Sequence, residues 1–214
     1  MTARLASLRI GRIAPLGPEA VPSAFVKRSV DGRVAVGPLG LDGDAQADLS
    51  VHGGPEKAVY GYAAGHYPSW AADFPALAAR FLHGSMGENL TITGLREDDI
   101  CVGDVHAIGT AMLQVCQPRQ PCFKLALAFG EARLGKAMVR SGRSGWYYRV
   151  LRDGEMEAGD EVRLAERPNP DFAFSRLVTI VNLGGATIPE MHAMAEMPGI
   201  ASRIAAKARA ALAA

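Results

Sequence analysis

A guanidinium and a thiol stand three residues apart in the segment QPRQPCFKL, residues 117–125. Pro118 and Pro121 each remove a backbone donor and fix φ, so the segment reads as a stiff, non-helical loop. The strand-like run AMLQVCQ leads into it and a helical run leaves it, which sets Cys122 at the mouth of a sheet and the start of a helix. Arg119 and Lys124 flank the cysteine, and the helix dipole would aim its positive end at the sulfur. Both effects favour the thiolate, the form that acts as nucleophile or metal ligand. The plainer reading of any one cysteine is a small buried hydrophobe. That reading holds for Cys116, inside the apolar run MLQVCQ, and for Cys101, which ends EDDIC before a turn.

Other segments offer cations, amides and an imidazole. In SVHGGPEKAVY, residues 50–60, Gly53-Gly54-Pro55 forms a tight turn into a helix whose free amides would seat an anion. Lys57 falls in the first turn, where a cation opposes the dipole and so needs another reason to be there. His52 either caps the turn or serves chemistry. Asp48 and His52 could ligate a metal, but no third ligand lies at a suitable spacing for zinc. In GSMGENLTITGL, residues 84–95, Glu88 and Asn89 separate a glycine turn from a strand. The Asn89 amide suits a heterocycle edge or a backbone. Arg140, Arg143 and Arg149 stand among glycines and aromatics in VRSGRSGWYYRV, as forked donors for phosphate or as a solvated basic hairpin. Lys27 and Arg28, in FVKRSV, add a further basic pair.

The totals exclude several classes. The 214 residues carry a formal net charge of +1, so nothing in bulk electrostatics favours a nucleic acid polymer or an anionic membrane as partner. Hydrophobic residues make up 49% and charged residues 21%, as in an ordinary globular protein. Arginines interrupt the N-terminal run MTARLASLRIGRIAPLG, which therefore does not read as a signal peptide, and no apolar run is long enough to span a bilayer. Three cysteines without a C-x-x-C pair argue against a disulfide framework, so the expected setting is cytoplasmic with reduced thiols. There is no Walker motif and no G-x-G-x-x-G after a strand.

Residues 1–165 are dense in strand and turn signals and predict a mainly β fold, a barrel or sandwich with flanking helices. Asp31-Gly32 predicts a hairpin between FVKRSV and RVAVG. Gly-Asp pairs in CVGDVHAIG and EAGDEVRLA predict turns that open strands. Two helical stretches are expected to interrupt. One is EKAVYGYAAGHYPSWAADFP, with Val59, Tyr62 and Ala63 at helical spacing; the other is KLALAFGEARLGKAMVRSG. ERPNPDF, residues 166–172, reads as a linker. Residues 166–214 then predict three short helices starting near Ser175, Thr187 and Gly199, too few residues for an independent fold and so expected to pack on the barrel.

Taken in order, KRSV, LGLDGDAQADLSVHGGPEKAVYGY, HYPSW, GENL, GLREDDICVGD, QPRQPCFKL and GRSGWYYRV resemble the molybdenum cofactor sulfurase C-terminal (MOSC) domain, most closely its YiiM-like bacterial subgroup. The match runs from about residue 20 to residue 165. The tail resembles, more loosely, the three-helix domain appended in that subgroup, although it is shorter and richer in alanine.

The resemblance implies a largely antiparallel β-barrel that binds the molybdenum cofactor (Mo-molybdopterin), with one cysteine thiolate completing the molybdenum coordination. By position that ligand is Cys122. Lys27 matches a basic residue near the pterin, Arg28 accompanies it, Asn89 lies in a block that lines the cofactor, and Arg119 and Gln120 occupy the ligand loop. Lys57, Arg143 and Arg149 are phosphate or substrate-site candidates on charge alone, and His52 is a candidate donor to a molybdenum oxo group or to substrate. The implied activity is reduction of N-hydroxylated compounds, with 6-hydroxylaminopurine-type base analogues as the subgroup's signature substrates. No flavin, haem or iron–sulfur motif is visible, so a separate reductase must supply two electrons. The alternative is a carrier of molybdenum cofactor or sulfur that does not turn over. The three helices could cover the active site, form a homodimer or receive the electron donor.

Overall fold

The computed structural model describes residues 2–49 and 52–213. Its strands are β1 (Arg4–Ile10), β2 (Ala14–Leu16), β3 (Val21–Ser23), β4 (Arg28–Ser29), β5 (Val34–Gly37), β6 (Gly40–Leu41), β7 (Val59–Ala63), β8 (Leu90–Thr93), β9 (Val105–Ile108), β10 (Ala111–Pro118), β11 (Trp146–Arg152), β12 (Gly154–Met156) and β13 (Val162–Glu166). Its helices are α1 (Tyr67–Asp73), α2 (Phe123–Phe129), α3 (Arg133–Ser141), α4 (Phe174–Leu183), α5 (Ile188–Glu196) and α6 (Ser202–Leu212).

The main sheet runs in the order β13-β9-β10-β11-β7-β8-β1-β4. β13, at one end, meets β1, the strand before the other end: Leu5 N–H donates to Asp160 O at 2.9 Å, Gly159 N–H to Leu5 O at 2.7 Å, and Val162 N–H to Ala3 O at 2.9 Å. These bonds close the sheet into a barrel and remove an edge that would otherwise be free to pair with another chain. A register shift between Leu5 and Ser7 lets both Leu5 and Leu8 reach the interior, where strict alternation would turn one of them outward. The Gly-Asp turns do open strands, Gly103-Asp104 before β9 and Gly159-Asp160 before β13.

Two local expectations fail. Residues 59–63 are not helical: they form β7, buried along its whole length between β11 and the parallel strand β8. Val59 and Ala63 face the barrel core while Tyr60 and Tyr62 enter a second, aromatic cluster under α1, α2 and α3. With both faces covered, the strand loses the polar alternation that would have marked it. Past β7, helical structure resumes at residue 64, within the crossover to β8 that a parallel pair requires. The second failure is the hairpin at Asp31-Gly32. β4 pairs with β1, whereas β5 pairs with β12 and β6, so the flanking strands diverge.

Gly61 lies between these layers for a steric reason. A Cβ there would come within 2.9 Å of Trp146 Nε1 and 3.0 Å of Tyr148, both in the core.

Beyond β13, α4, α5 and α6 pack against the barrel. Phe174, Leu177, Met194 and Ile200 share one hydrophobic cluster with Ile100 and Trp146, so the core is continuous across residue 166. Backbone bonds tie the seam: Phe174 N–H to Ile100 O, and Ala201 N–H to Cys116 O, both at 2.9 Å. Among the described residues no helix is long and apolar enough to cross a membrane.

Candidate functional site

β10 ends at Pro118, and the loop Arg119–Pro121 delivers Cys122 as the cap residue of α2. The loop forms one wall of a chamber of about 100 Å³. Cys122, His52, Lys27, Lys57, Asn89, Arg119 and Lys124 all line it, from segments spread over almost a hundred residues of chain. The barrel strands bring them together: β7 and β11 supply the floor through Tyr60 and Tyr147, and Asn89 before β8 and the loops that leave β3, β6 and β10 supply the walls.

The thiol is shifted toward its reactive form. Burial pushes it up, but a hydrogen bond from His52, the Arg119 charge and the Lys124 backbone N–H outweigh burial and hold Cys122 down at about 7. Arg119 is only 5% exposed. Its Nη1 donates to Met86 O at 3.2 Å, and its guanidinium lies 5.2 Å from the Tyr60 ring centroid and 5.6 Å from that of Phe25. Sandwiched in this way, the guanidinium is a fixed positive charge beside the sulfur. Cys116 differs: fully buried, with Sγ toward Glu56 O, it is pushed up to about 12, mainly by burial.

Lys27 is oriented by a buried carboxylate, Asp44, whose Oδ1 accepts from Lys27 Nζ at 2.5 Å and from Gly11 N–H at 2.6 Å. Asn89 fixes the other oxygen, donating from Nδ2 to Asp44 Oδ2 at 2.9 Å and to Arg9 O at 3.1 Å. Its own Oδ1 accepts Tyr60 N–H at 3.1 Å. The Asn89 amide therefore bonds to backbone and to Asp44, and its local effect is to stiffen the chamber floor. Glu88 does not line the chamber; it is fully buried and accepts from Tyr67 Oη, Gly84 N–H and Thr91 Oγ1.

The turn before Lys57 is shorter than expected. Gly53 and Gly54 both take φ of 82°, which favours glycine, but only a three-residue 3₁₀ turn follows, Pro55–Lys57, before β7. It is too short to present a set of free helix amides. His52 makes no side-chain cap there; its imidazole bonds to Cys122 instead. Lys57 is pushed down by burial and by the Arg203 charge.

Four of the expected residues lie outside the chamber. Arg28 is exposed on β4. Gln120 points from the cysteine loop toward α6, where its Oε1 accepts Arg203 Nη2 at 3.2 Å. Arg149 bonds to Glu56 Oε1 at 2.7 Å and to Gln114 Oε1 at 3.0 Å, on the wall of an adjoining cleft. Arg143 is on a different face, with its guanidinium 4.0 Å from the Trp70 ring centroid and paired with Asp73. Charge alone could not distinguish these positions. Sequence reasoning in turn missed Asp44, Tyr60 and Tyr147. The Gly-Asp pair in LDGDAQAD was a visible signal for Asp44, but as a turn rather than as the partner of Lys27.

Comparisons with known proteins identify the family and the fold. A family model described as the MOSC domain matches residues 48–163. Protein YiiM of Escherichia coli (strain K12) is 41% identical over 150 residues, which is 70% of this chain and 67% of that protein. A protein named Reductase from Gibberella moniliformis is 36% identical over 197 residues; these make up 91% of this chain but only 35% of the relative. Among solved structures, YiiM from Geobacillus stearothermophilus superposes with a TM-score of 0.82 at 31% identity, covering 98% of this chain and 99% of that one. YiiM from Escherichia coli follows with a TM-score of 0.78 at 29% identity, over 93% and 92%. The chain belongs to the MOSC domain family and is YiiM-like in sequence and fold.

Proposed function

We propose that this protein is a molybdenum-cofactor-dependent reductase of N-hydroxylated compounds, with Cys122 as the protein ligand to molybdenum. The observation that carries it is a thiol held at about 7 in a chamber walled by cations and open to a substrate-sized cleft. The donor set fits the group: one soft thiolate for the metal, with Arg119, Lys27 and Lys57 around it for an anionic cofactor. Lys27, on the floor that Asp44 and Asn89 stiffen, would hold the pterin side, and Arg119 would neutralise charge next to the sulfur.

When bound, the cofactor supplies the two-electron reduction. The net change takes R–NH–OH, two electrons and two protons to R–NH₂ and water. His52, bonded to Cys122, would deliver a proton to the departing hydroxyl oxygen. Tyr60 and Tyr147 narrow the chamber and restrict water around the reacting atoms. The electrons come from a separate reductase. The fungal relative whose printed name is Reductase, in which the region like this chain is 35% of the length, supports oxidoreductase chemistry.

The test is metal analysis of protein from a host that makes the cofactor, with Cys122→Ala alongside. Stoichiometric molybdenum in the wild type alone, followed by dye-dependent reduction of 6-hydroxylaminopurine, is the expected result. Molybdenum in neither protein would overturn it and leave transient carriage as the better account.

A further inference from the structure

The chamber opens into a much larger cleft. This annex measures about 770 Å³, within the roughly 300–1,000 Å³ of small-molecule sites, and shares His52, Gly53, Lys57 and Tyr147 with the chamber. Its far wall comes from the C-terminal helices, through Ser202 and Arg203 of α6.

The annex is rich in cations. Among the described residues that line it, Lys57, Arg149 and Arg203 are cations and Glu56 is the one carboxylate. Glu56 already accepts from Arg149 Nη2 at 2.7 Å, from Ser202 N–H at 2.9 Å and from Ser202 Oγ at 3.0 Å. These bonds clamp the start of α6 to the barrel and so set Arg203 in place. Arg203 takes part in no ion pair among the described residues; its Nη2 bonds to the neutral Gln120 Oε1, two residues from Cys122. Lys57 feels the Arg203 charge, so the two cations face one region of space. An anion between them would relieve that repulsion.

We propose that the annex receives an anionic group carried by the substrate, a phosphate, with Arg203 as its main recognition residue, and that the natural substrates are N-hydroxylated nucleotides in preference to free bases. This rests on the reductase reading above. The reactive nitrogen enters the small chamber beside Cys122 while the phosphate stays in the annex. The C-terminal helices then belong to the substrate site, which gives them a reason to be clamped by Glu56.

Three measurements test the assignment on the full chain. The first needs no turnover. In protein from a host that does not make the cofactor, alkylation of Cys122 by iodoacetamide at pH 7, read by mass spectrometry, is followed with adenosine monophosphate or adenosine as protectant. The monophosphate is the product expected from the N-hydroxylated nucleotide. It should protect at roughly ten-fold lower concentration than the nucleoside, as expected for a charge-assisted contact. Arg203→Glu should erase that difference, and Arg203→Lys should keep most of it. Equal protection by the two compounds, or a difference that survives Arg203→Glu, would overturn the proposal.

The second is the molybdenum content of Arg203→Glu. A content equal to the wild type supports a substrate site, and loss of molybdenum would assign the annex to the cofactor's own phosphate and overturn the proposal. The third is the ratio of kcat/KM for 6-hydroxylaminopurine as its ribonucleoside monophosphate over the free base. It should exceed ten in the wild type, mainly through KM, and fall at least ten-fold in Arg203→Glu. Turnover without that preference sinks the nucleotide inference but not the reductase. Failure of both substrates alongside intact differential protection sinks the reductase reading and leaves the annex standing as a phosphate site.

Discussion

Cys116 and Cys122 lie six residues apart, on one strand and the loop that leaves it, and their thiols differ by about five pH units. Burial pushes both upward. At Cys116 the opposing influences, the Arg149 charge foremost, are too weak to reverse it, and the sulfur points to Glu56 O at the seam with the C-terminal helices. At Cys122 a side-chain bond from His52 and the buried Arg119 charge reverse it. The lesson is that neither burial nor residue type makes a cysteine reactive. Fixed donors aimed at the sulfur do, and here the rigid loop and the barrel floor hold them fixed.

The comparison is sharpest where a single atom is removed. Cys122→Ala is expected to abolish molybdenum retention and lower dye-dependent turnover by at least about a thousand-fold, since no other chamber residue offers a thiolate. Cys116→Ala should retain metal and turnover and lose only about 1 kcal/mol of stability, as for a small core truncation. Molybdenum analysis and thermal melts of both variants decide it. Equal loss in the two variants would break the distinction between them.

Next in size is chemical reactivity. At pH 7 about half of Cys122 is thiolate, whereas burial keeps Cys116 a thiol. Iodoacetamide should therefore label Cys122 alone. The rate should rise as pH increases through about 7 and level off above it, because the thiolate is the attacking form and its fraction grows with pH. Labelling of Cys116 at a comparable rate would show that the barrel opens there.

A smaller effect isolates the donor. In His52→Ala the largest influence lowering Cys122 is lost while burial remains, so the alkylation midpoint should rise by about one pH unit or more and the rate at pH 7 fall about five-fold or more. An unmoved midpoint would leave Arg119 and the Lys124 backbone N–H as the whole cause.

Much of this contrast was legible in the chain, for local reasons. The prolines, Arg119 and Lys124 around Cys122 are neighbours in sequence, and so is the apolar run around Cys116. The Thr187–Glu190 capping box that starts α5 is equally local. Non-local features were not legible. Asp44 pairs with Lys27 seventeen positions away and with Asn89 forty-five positions away, and only the closed barrel brings the three together. β7 was hidden because Val59, Tyr62 and Ala63 match a helical spacing, while its true period of two alternates between two buried faces. Arg143 and Arg149 carry the same charge on opposite errands, one stacked on Trp70 and one holding Glu56, which charge and local sequence do not separate.

The smallest expected effect concerns the seam beside Cys116. Glu56 links three elements: its backbone O accepts from Cys116 Sγ and Gln117 Nε2, and its carboxylate accepts from Arg149 and Ser202. Glu56→Gln keeps the shape and one carbonyl acceptor but removes the charge from bonds that are partly exposed. Such bonds are worth about 1 kcal/mol after solvent screening, and in a chain of this size that corresponds to a drop in Tm of about 2–4 °C. Hydrogen exchange locates the loss more closely than the melt. Faster exchange over residues 202–212, with β10 unchanged, is expected if the carboxylate clamps α6 to an independently stable barrel. Faster exchange in both would mean that the silent cysteine and the C-terminal helices open as one unit. The continuous core across residue 166 would then extend to a shared opening event.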